Sequence, residues 1–285
     1  MEPFDRTPAE PRREAALQSL TGDLTKFERR VAAVALAEVS VDALEGAAAA
    51  PAPERWTRLV VWFASAAGEA TGEDLRHRLN LVGTFGARGG SLAAAWPVVL
   101  RLLDDPDAAM SAGRLVRSVA WDAPPAGATA RLAELLDRDG HIAHACACAL
   151  GTLALADGDL PTLCRLLGHA NSPVREGAAY AVHVAFLQGR SVAFAVPVLA
   201  ASLADPSGAV LWHAIQALDH AFKQGVDLTA ALPGLDAAVA RTTWPEDGWV
   251  FGRVQTTDEG AVGDYPPGRQ AAHLAAVQRA RACAR

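Results

Sequence analysis

Apolar residues recur along this chain with helical spacing, in runs that are separated by short breaks containing Asp, Gly or Pro. Four stretches share one plan, a helix that ends in a Leu/Ala-rich run, a break and a second Ala-rich helix: 96–121, 129–156, 160–187 and 196–222. The same leucine recurs in each copy, at steps of 33, 31 and 36 residues: Leu103, Leu136, Leu167 and Leu203. Helix pairs repeated at this period predict an α-solenoid, an architecture that binds along an extended surface.

The pattern before and after these copies predicts three regions. The pattern of residues 1–53 predicts an N-terminal helical cap, with disordered first residues and helices at 11–20, 23–39 and 44–50. Residues 54–240 predict the repeat array, which begins with helices at 54–67 and 69–85, the second capped by Thr71, and ends with a helix at 227–240. Residues 241–285 predict an irregular insertion and a capping helix at 268–285. The predicted fold class is therefore all-α, a right-handed superhelix of about five helix pairs.

The insertion at 241–267 has no helical period, although 249–257 could form a short strand or hairpin. Disordered segments are poor in aromatic residues, whereas this one contains Trp244, Trp249 and Phe251. We therefore expect these three side chains to fold back onto the last repeats. They either contact a partner or only cover the apolar end of the array.

The amino-acid composition favours stacked helices and reduces the number of partner classes to be expected. Hydrophobic residues make up 51% of the 285 and aromatic residues only 6%, so small residues dominate the apolar content. Only two of 26 basic residues are lysines, which we interpret as the coding bias of a GC-rich bacterial genome. The net charge of −6 makes sequence-independent nucleic-acid binding unfavourable. The polar N-terminus lacks an apolar signal region and no apolar run could span a bilayer, so a cytoplasmic location without membrane contact is expected.

Residues 163–185 resemble a HEAT repeat, a family that shares its pattern with armadillo repeats. The resemblance rests on the leucines of the first helix, Pro173 at the turn, the pair Val174-Arg175 and the alanines of the second helix. Asp105-Pro106 and Asp205-Pro206 match the turn in two other copies, although the Val-Arg pair is absent there. The resemblance implies a non-catalytic scaffold, adaptor or regulator that binds another protein. It also implies a structural role for Arg175, bonding within and between turns.

In HEAT-like arrays the second helices line the concave face, which offers candidate partner-binding residues. An offset of 36 residues aligns the second helices of the last two copies and produces one polar and aromatic stripe. Its members are Glu176, Tyr180, His183, Trp212, Gln216 and Asp219. Tyr and Trp are favoured at binding hot spots. The alternative is an ordinary half-exposed helix face. The neighbouring stripe, which includes Ala181 and Ala217, is expected to be buried.

The chain shows no convincing catalytic, cofactor or metal motif. His213 and His220 lie two helical turns apart, about 10 Å by the helix rise, which is too far for one zinc ion without further ligands. Cys146 and Cys148 lack zinc-knuckle spacing and are expected to be buried thiols. Two HEAT-like alternatives remain. One is a DNA glycosylase using Trp212 and Asp219, which would need a basic groove. The other is a tetrapyrrole lyase or chaperone with a hydrophobic ligand.

Overall fold

A computed structural model of the protein describes residues 9–67, 70–105, 108–120, 122, 124–138, 140–240, 255–257, 260–262 and 282. The described residues form two compact units, Met1–Pro125 and Ala126–Arg285. Apart from one short hairpin, the regular structure of the described residues is helical, so the predicted all-α class is confirmed. None of the described helices combines the length and hydropathy needed to cross a membrane.

The first unit contains seven described α-helices: α1 Ala9–Thr21, α2 Lys26–Ala35, α3 Val41–Ala48, α4 Ala52–Ala67, α5 Gly72–Ala87, α6 Trp96–Leu102 and α7 Ala109–Val119. A capping box begins α2, in which Thr25 accepts from the backbone of Glu28 and the Glu28 carboxylate accepts from that of Thr25. Thr71 takes the predicted N-cap position of α5 without a side-chain capping bond. Aromatic rings of α4 and α5 are part of the buried core, with Phe63 and Phe85 edge to face at 5.2 Å.

The second unit continues with seven more: α8 Ala128–Glu134, α9 Gly140–Asp157, α10 Leu160–Leu167, α11 Ser172–Leu187, α12 Val196–Ser202, α13 Gly208–Lys223 and α14 Leu232–Ala240. Short 3-10 helices precede α6, α12 and α14, at Ala93–Ala95, Ala193–Ala195 and Thr229–Ala231. Each predicted first and second helix therefore exists, with boundaries shifted by a few residues.

The long helices of the second unit pack side by side through small residues. Helix α11 lies between α9 and α13, while the short α12 contacts both α10 and α14. Gly177 on α11 meets the backbone of α9 so closely that an added Cβ would lie 3.0 Å from the backbone nitrogen of Cys148 and would clash with the carbonyl oxygen of His144. Ala181 and Ala217 are both buried, as the apolar stripe predicted. The Ala-rich composition is thus used where helix backbones approach.

Arg175 joins the turn before α11 to the turn before α13. Its guanidinium donates to the carbonyl oxygens of His169 and Ala170, both at 2.9 Å. It also binds both carboxylate oxygens of Asp205, at 2.7 and 3.1 Å. Asp205 in turn accepts from the backbone nitrogen of Ser207, at 2.8 Å. These bonds give Arg175 the turn-linking geometry that the resemblance implied.

A hairpin lies within the segment that lacks a helical period. Strand β1, Gln255–Thr257, pairs antiparallel with β2, Gly260–Val262. The sequence prediction placed a strand or hairpin at 249–257, so only its last three residues coincide with the observed pairing. The predicted capping helix at 268–285 and the first eight residues lie outside the described residues, except for Ala282. The three predicted regions, 1–53, 54–240 and 241–285, stay predictions.

Candidate functional site

Helices α11 and α13 carry the six aligned candidates. Pro173 lies in the first turn of α11, where its missing N–H costs no helical hydrogen bond, and Ser207 is the N-cap residue of α13. Spacings of four and three residues place the three candidates of each helix on one stripe, as the sequence predicted. The candidates Trp244, Trp249 and Phe251 lie outside the described residues.

Burial divides the six residues into two groups. Tyr180, His183, Trp212 and Gln216 are half-buried. By contrast, Glu176 is 0% exposed and Asp219 is 6% exposed. The interpretation of the stripe as a uniformly half-exposed face therefore does not hold at these two carboxylates, because both side chains are buried. The part of the stripe that a partner could reach is neutral and largely aromatic.

Glu176 faces His144 of helix α9. Their Oε1 and Nε2 atoms are 3.6 Å apart, and both side chains are about 1% exposed. A buried carboxylate is costly unless polar groups compensate it, so this contact favours one relative position of α9 and α11. The stripe predicted from the sequence did not include His144. The available signal was a histidine at an otherwise apolar position of an Ala-rich helix.

Tyr180 is the centre of a cluster of aromatic and imidazole rings. Its ring centroid lies 5.0 Å from that of His213, 5.9 Å from that of His144 and 6.2 Å from that of His183. The contacts to His213 and His183 are edge to face, the arrangement that complementary ring quadrupoles favour. One tyrosine therefore contacts imidazoles from all three long helices.

His183 connects α11 to α13 through two further imidazoles. Its Nδ1 atom lies 3.3 Å from Nδ1 of His213. Its ring stacks on His220, with centroids 5.5 Å apart and an interplanar angle of 16°. His213 is buried, whereas His183 and His220 are half-buried. The sequence placed His213 and His220 two helical turns apart but did not predict that both contact His183.

The histidines lie in surroundings that favour their neutral forms. Burial, and to a lesser degree the imidazole of His220, lower the pKa of His183 to about 4. Burial also lowers the pKa of His220 below its ordinary value, and the Lys223 ammonium lowers it further, while the Asp219 carboxylate opposes both effects. Asp219 itself is bound by Lys223, with Oδ2 and Nζ 2.6 Å apart. At neutral pH the reachable part of this site therefore presents uncharged rings.

Imidazoles are common metal ligands, so the cluster must also be considered as a metal site. Within the part of the chain that the structure describes, no three His, Cys, Asp or Glu side chains are grouped so that they could hold one ion. The chemistry that the described site offers is hydrogen bonding by Gln216 and the imidazoles, and apolar contact with Tyr180 and Trp212.

Comparisons with known proteins do not assign the chain to a family. No family model matches it, and no curated protein matches it. A crystal structure of an engineered protein from the Northeast Structural Genomics Consortium is similar at a TM-score of 0.40 and 16% identity, covering 92% of this chain and 97% of that chain. Similarity at this level indicates neither a family nor a function.

Proposed function

We propose that this chain is a non-catalytic protein–protein interaction module, a cytoplasmic scaffold, adaptor or regulator. In this proposal the repeated helix pairs stack as a right-handed HEAT-like solenoid, and the second helices line its concave face. The repeat period, the side-by-side packing of α9, α11 and α13, and the link from Arg175 to Asp205 support the stacking. The partner binds across α11 and α13.

The half-buried face formed by Tyr180, His183, Trp212 and Gln216 is the observation that carries the proposal. Large aromatic side chains provide much contact area at a low cost in side-chain entropy, and they are enriched at hot spots of protein interfaces. Their exposed parts lie beside a carboxamide that can donate and accept hydrogen bonds. Glu176 is buried against His144 of α9, and Asp219 is buried and bound by Lys223 of its own helix, so the proposed binding surface consists of the four half-buried residues.

The first experiment identifies the partner and then measures its affinity. Tagged protein is incubated with extract of the source cells, retained proteins are identified by mass spectrometry, and the candidate is purified for titration calorimetry. Trp212→Ala and Tyr180→Ala should each weaken binding about 30-fold, which corresponds to about 2 kcal/mol.

A matched control uses an exposed apolar residue of another helix. Val34 lies on α2 and is 63% exposed, so Val34→Ala removes an apolar surface side chain that is not part of the proposed face. Its affinity should equal that of the unmodified protein. Circular dichroism must show unchanged helix content for every variant. A double variant, Tyr180→Ala with Trp212→Ala, that folds normally and binds with full affinity would remove this face as the binding surface.

A further inference from the structure

His183 and His213 approach each other head to head. Their ring centroids are 5.5 Å apart and their Nδ1 atoms 3.3 Å apart. The radii of the two imidazole rings account for most of the difference between these two distances. Both Nδ1 atoms therefore lie close to the line that joins the ring centroids. A metal ion bound by both nitrogens would instead require their lone pairs to converge on a point beside that line. The geometry therefore indicates a direct hydrogen bond, in which one Nδ1–H donates and the other Nδ1 accepts.

Such a bond limits how many protons the pair can hold. An imidazole nitrogen accepts a hydrogen bond only when it carries no proton, and in the imidazolium form both nitrogens are donors. The pair can therefore accommodate one imidazolium ring, which donates to a neutral acceptor. A second imidazolium would place two N–H donors and two positive charges against each other. His220, stacked on His183, adds a third group that becomes positive in the same pH range.

We propose that the contact between His183, His213 and His220 is a pH-sensitive latch between α11 and α13. It is closed while the imidazoles are neutral and weakened when protons accumulate on them. Apart from His213, Glu176 and Asp219, the buried residues of α11 and α13 are apolar. The latch operates in the isolated chain and needs no partner.

The titratable and charged groups around the latch determine whether a lower pH strengthens or weakens it. Tyr180 contacts both His183 and His213, and a phenol is an uncharged side chain in the pH range in which imidazoles titrate. Helix α9 contributes His144, which lies against Glu176 of α11. Helix α13 contributes Asp219, which favours protonation of His220, and Lys223, which opposes it. Helix α12 packs against α13 with the sequence VPVLAAS, which has no titratable side chain. Burial therefore dominates, and it disfavours imidazolium.

Linkage then determines the direction of the pH effect. The folded-state pKa of His183, about 4, is below the ordinary value of 6.5. Between these two values the unfolded chain binds a proton that the folded chain does not, so stability falls as pH falls from 6.5 to 4. Each imidazole that must stay neutral raises the unfolding constant about tenfold per pH unit within its window.

The test compares urea unfolding from pH 7.5 to pH 4 for the unmodified protein and two variants. His183→Asn retains a polar group near the Nδ1 position but cannot titrate. As the pH is lowered from 6.5 to 4, the unfolding constant of this variant should therefore rise less steeply than that of the unmodified protein, by about a factor of ten for each pH unit. His141→Gln removes an exposed histidine of α9 and should reproduce the unmodified profile. Carboxylates that titrate below pH 5 affect all three proteins equally and cancel in the comparison. Parallel profiles for His183→Asn and the unmodified protein would overturn the proposal.

A second measurement needs no variant to fold. Imidazole carbon and nitrogen NMR spectra of the unmodified protein, recorded from pH 8 to pH 4, follow the protonation of each histidine. The latch requires one of the two Nδ1 atoms of His183 and His213 to carry a proton and the other none at pH 7. It also requires at least one of these rings to titrate well below 6.5. Two rings that both titrate near the ordinary value would contradict it.

Discussion

Gly177→Ala tests the close packing of α9 and α11, on which the position of the candidate site depends. The added Cβ would lie 3.0 Å from both the Cβ of Ala147 and the backbone nitrogen of Cys148, and it would clash with the carbonyl oxygen of His144. Two of these three atoms belong to a helix backbone, which cannot rotate away as a flexible side chain can. The two helices must therefore separate, and the contact between Glu176 and His144 must lengthen with them.

The magnitude follows from two opposing effects. Overpacking a core contact costs about 1–3 kcal/mol. We expect about 3 kcal/mol here, because two of the three crowded atoms belong to a helix backbone. Alanine is more favourable than glycine inside a helix by about 1 kcal/mol. The expected net loss in the free energy of unfolding is therefore about 2 kcal/mol, from these two terms. For a folding unit of about 150–250 residues, such as Ala126–Arg285, each kcal/mol shifts Tm by about 2–4 °C, so Tm should fall by about 4–8 °C.

Two other helix glycines provide graded controls in the same assay, thermal unfolding followed by circular dichroism. At Gly83 an added Cβ would meet only Leu115, at 3.8 Å, so Gly83→Ala should stabilise by about 0.5–1 kcal/mol. At Gly151 the added Cβ would lie 3.0 Å from the Cβ of Ala181, an intermediate crowding, and the two effects should nearly cancel. If Gly177→Ala stabilises the protein as Gly83→Ala does, the reasoning about the α9–α11 contact is wrong.

Three further predictions use the same unfolding measurements. Ala181→Leu should cost about 1–3 kcal/mol, because Ala181 is buried at the contact with α9, and an unchanged Tm would contradict that assignment. Asp205→Ala should cost about 2–3 kcal/mol, because it leaves Arg175 without its charged acceptor. Combining it with Arg175→Ala should cost clearly less than the sum of the two single changes, whereas additive losses would mean that the two side chains act independently. Thr25→Ala should cost about 1 kcal/mol through loss of the capping box, and no loss would remove that role.

The sequence by itself determined the helices of the described array. Apolar spacing, the Asp/Gly/Pro breaks and the alanine runs are local properties, so α6 to α14 appear where the pattern predicts them. The structural role of Arg175 was implied only by the resemblance of residues 163–185 to a HEAT repeat. The buried alanine stripe followed from helical periodicity, since Ala181 and Ala217 lie on faces without polar residues.

Only the tertiary structure decided which polar residues meet. Alignment relates equivalent positions of the last two copies by an offset of 36 residues, so it pairs His183 with Asp219. Residues that touch across α11 and α13 are separated differently: His183 meets His213, and Arg175 meets Asp205, each 30 residues apart. The difference arises because two packed helices face each other with different sides, so residues that touch do not occupy equivalent positions in the two copies. Packing of α9 against α11, close at Gly177, buries Glu176 against His144, and packing of α11 against α13 brings His183 to His213; no spacing within one helix encodes either contact.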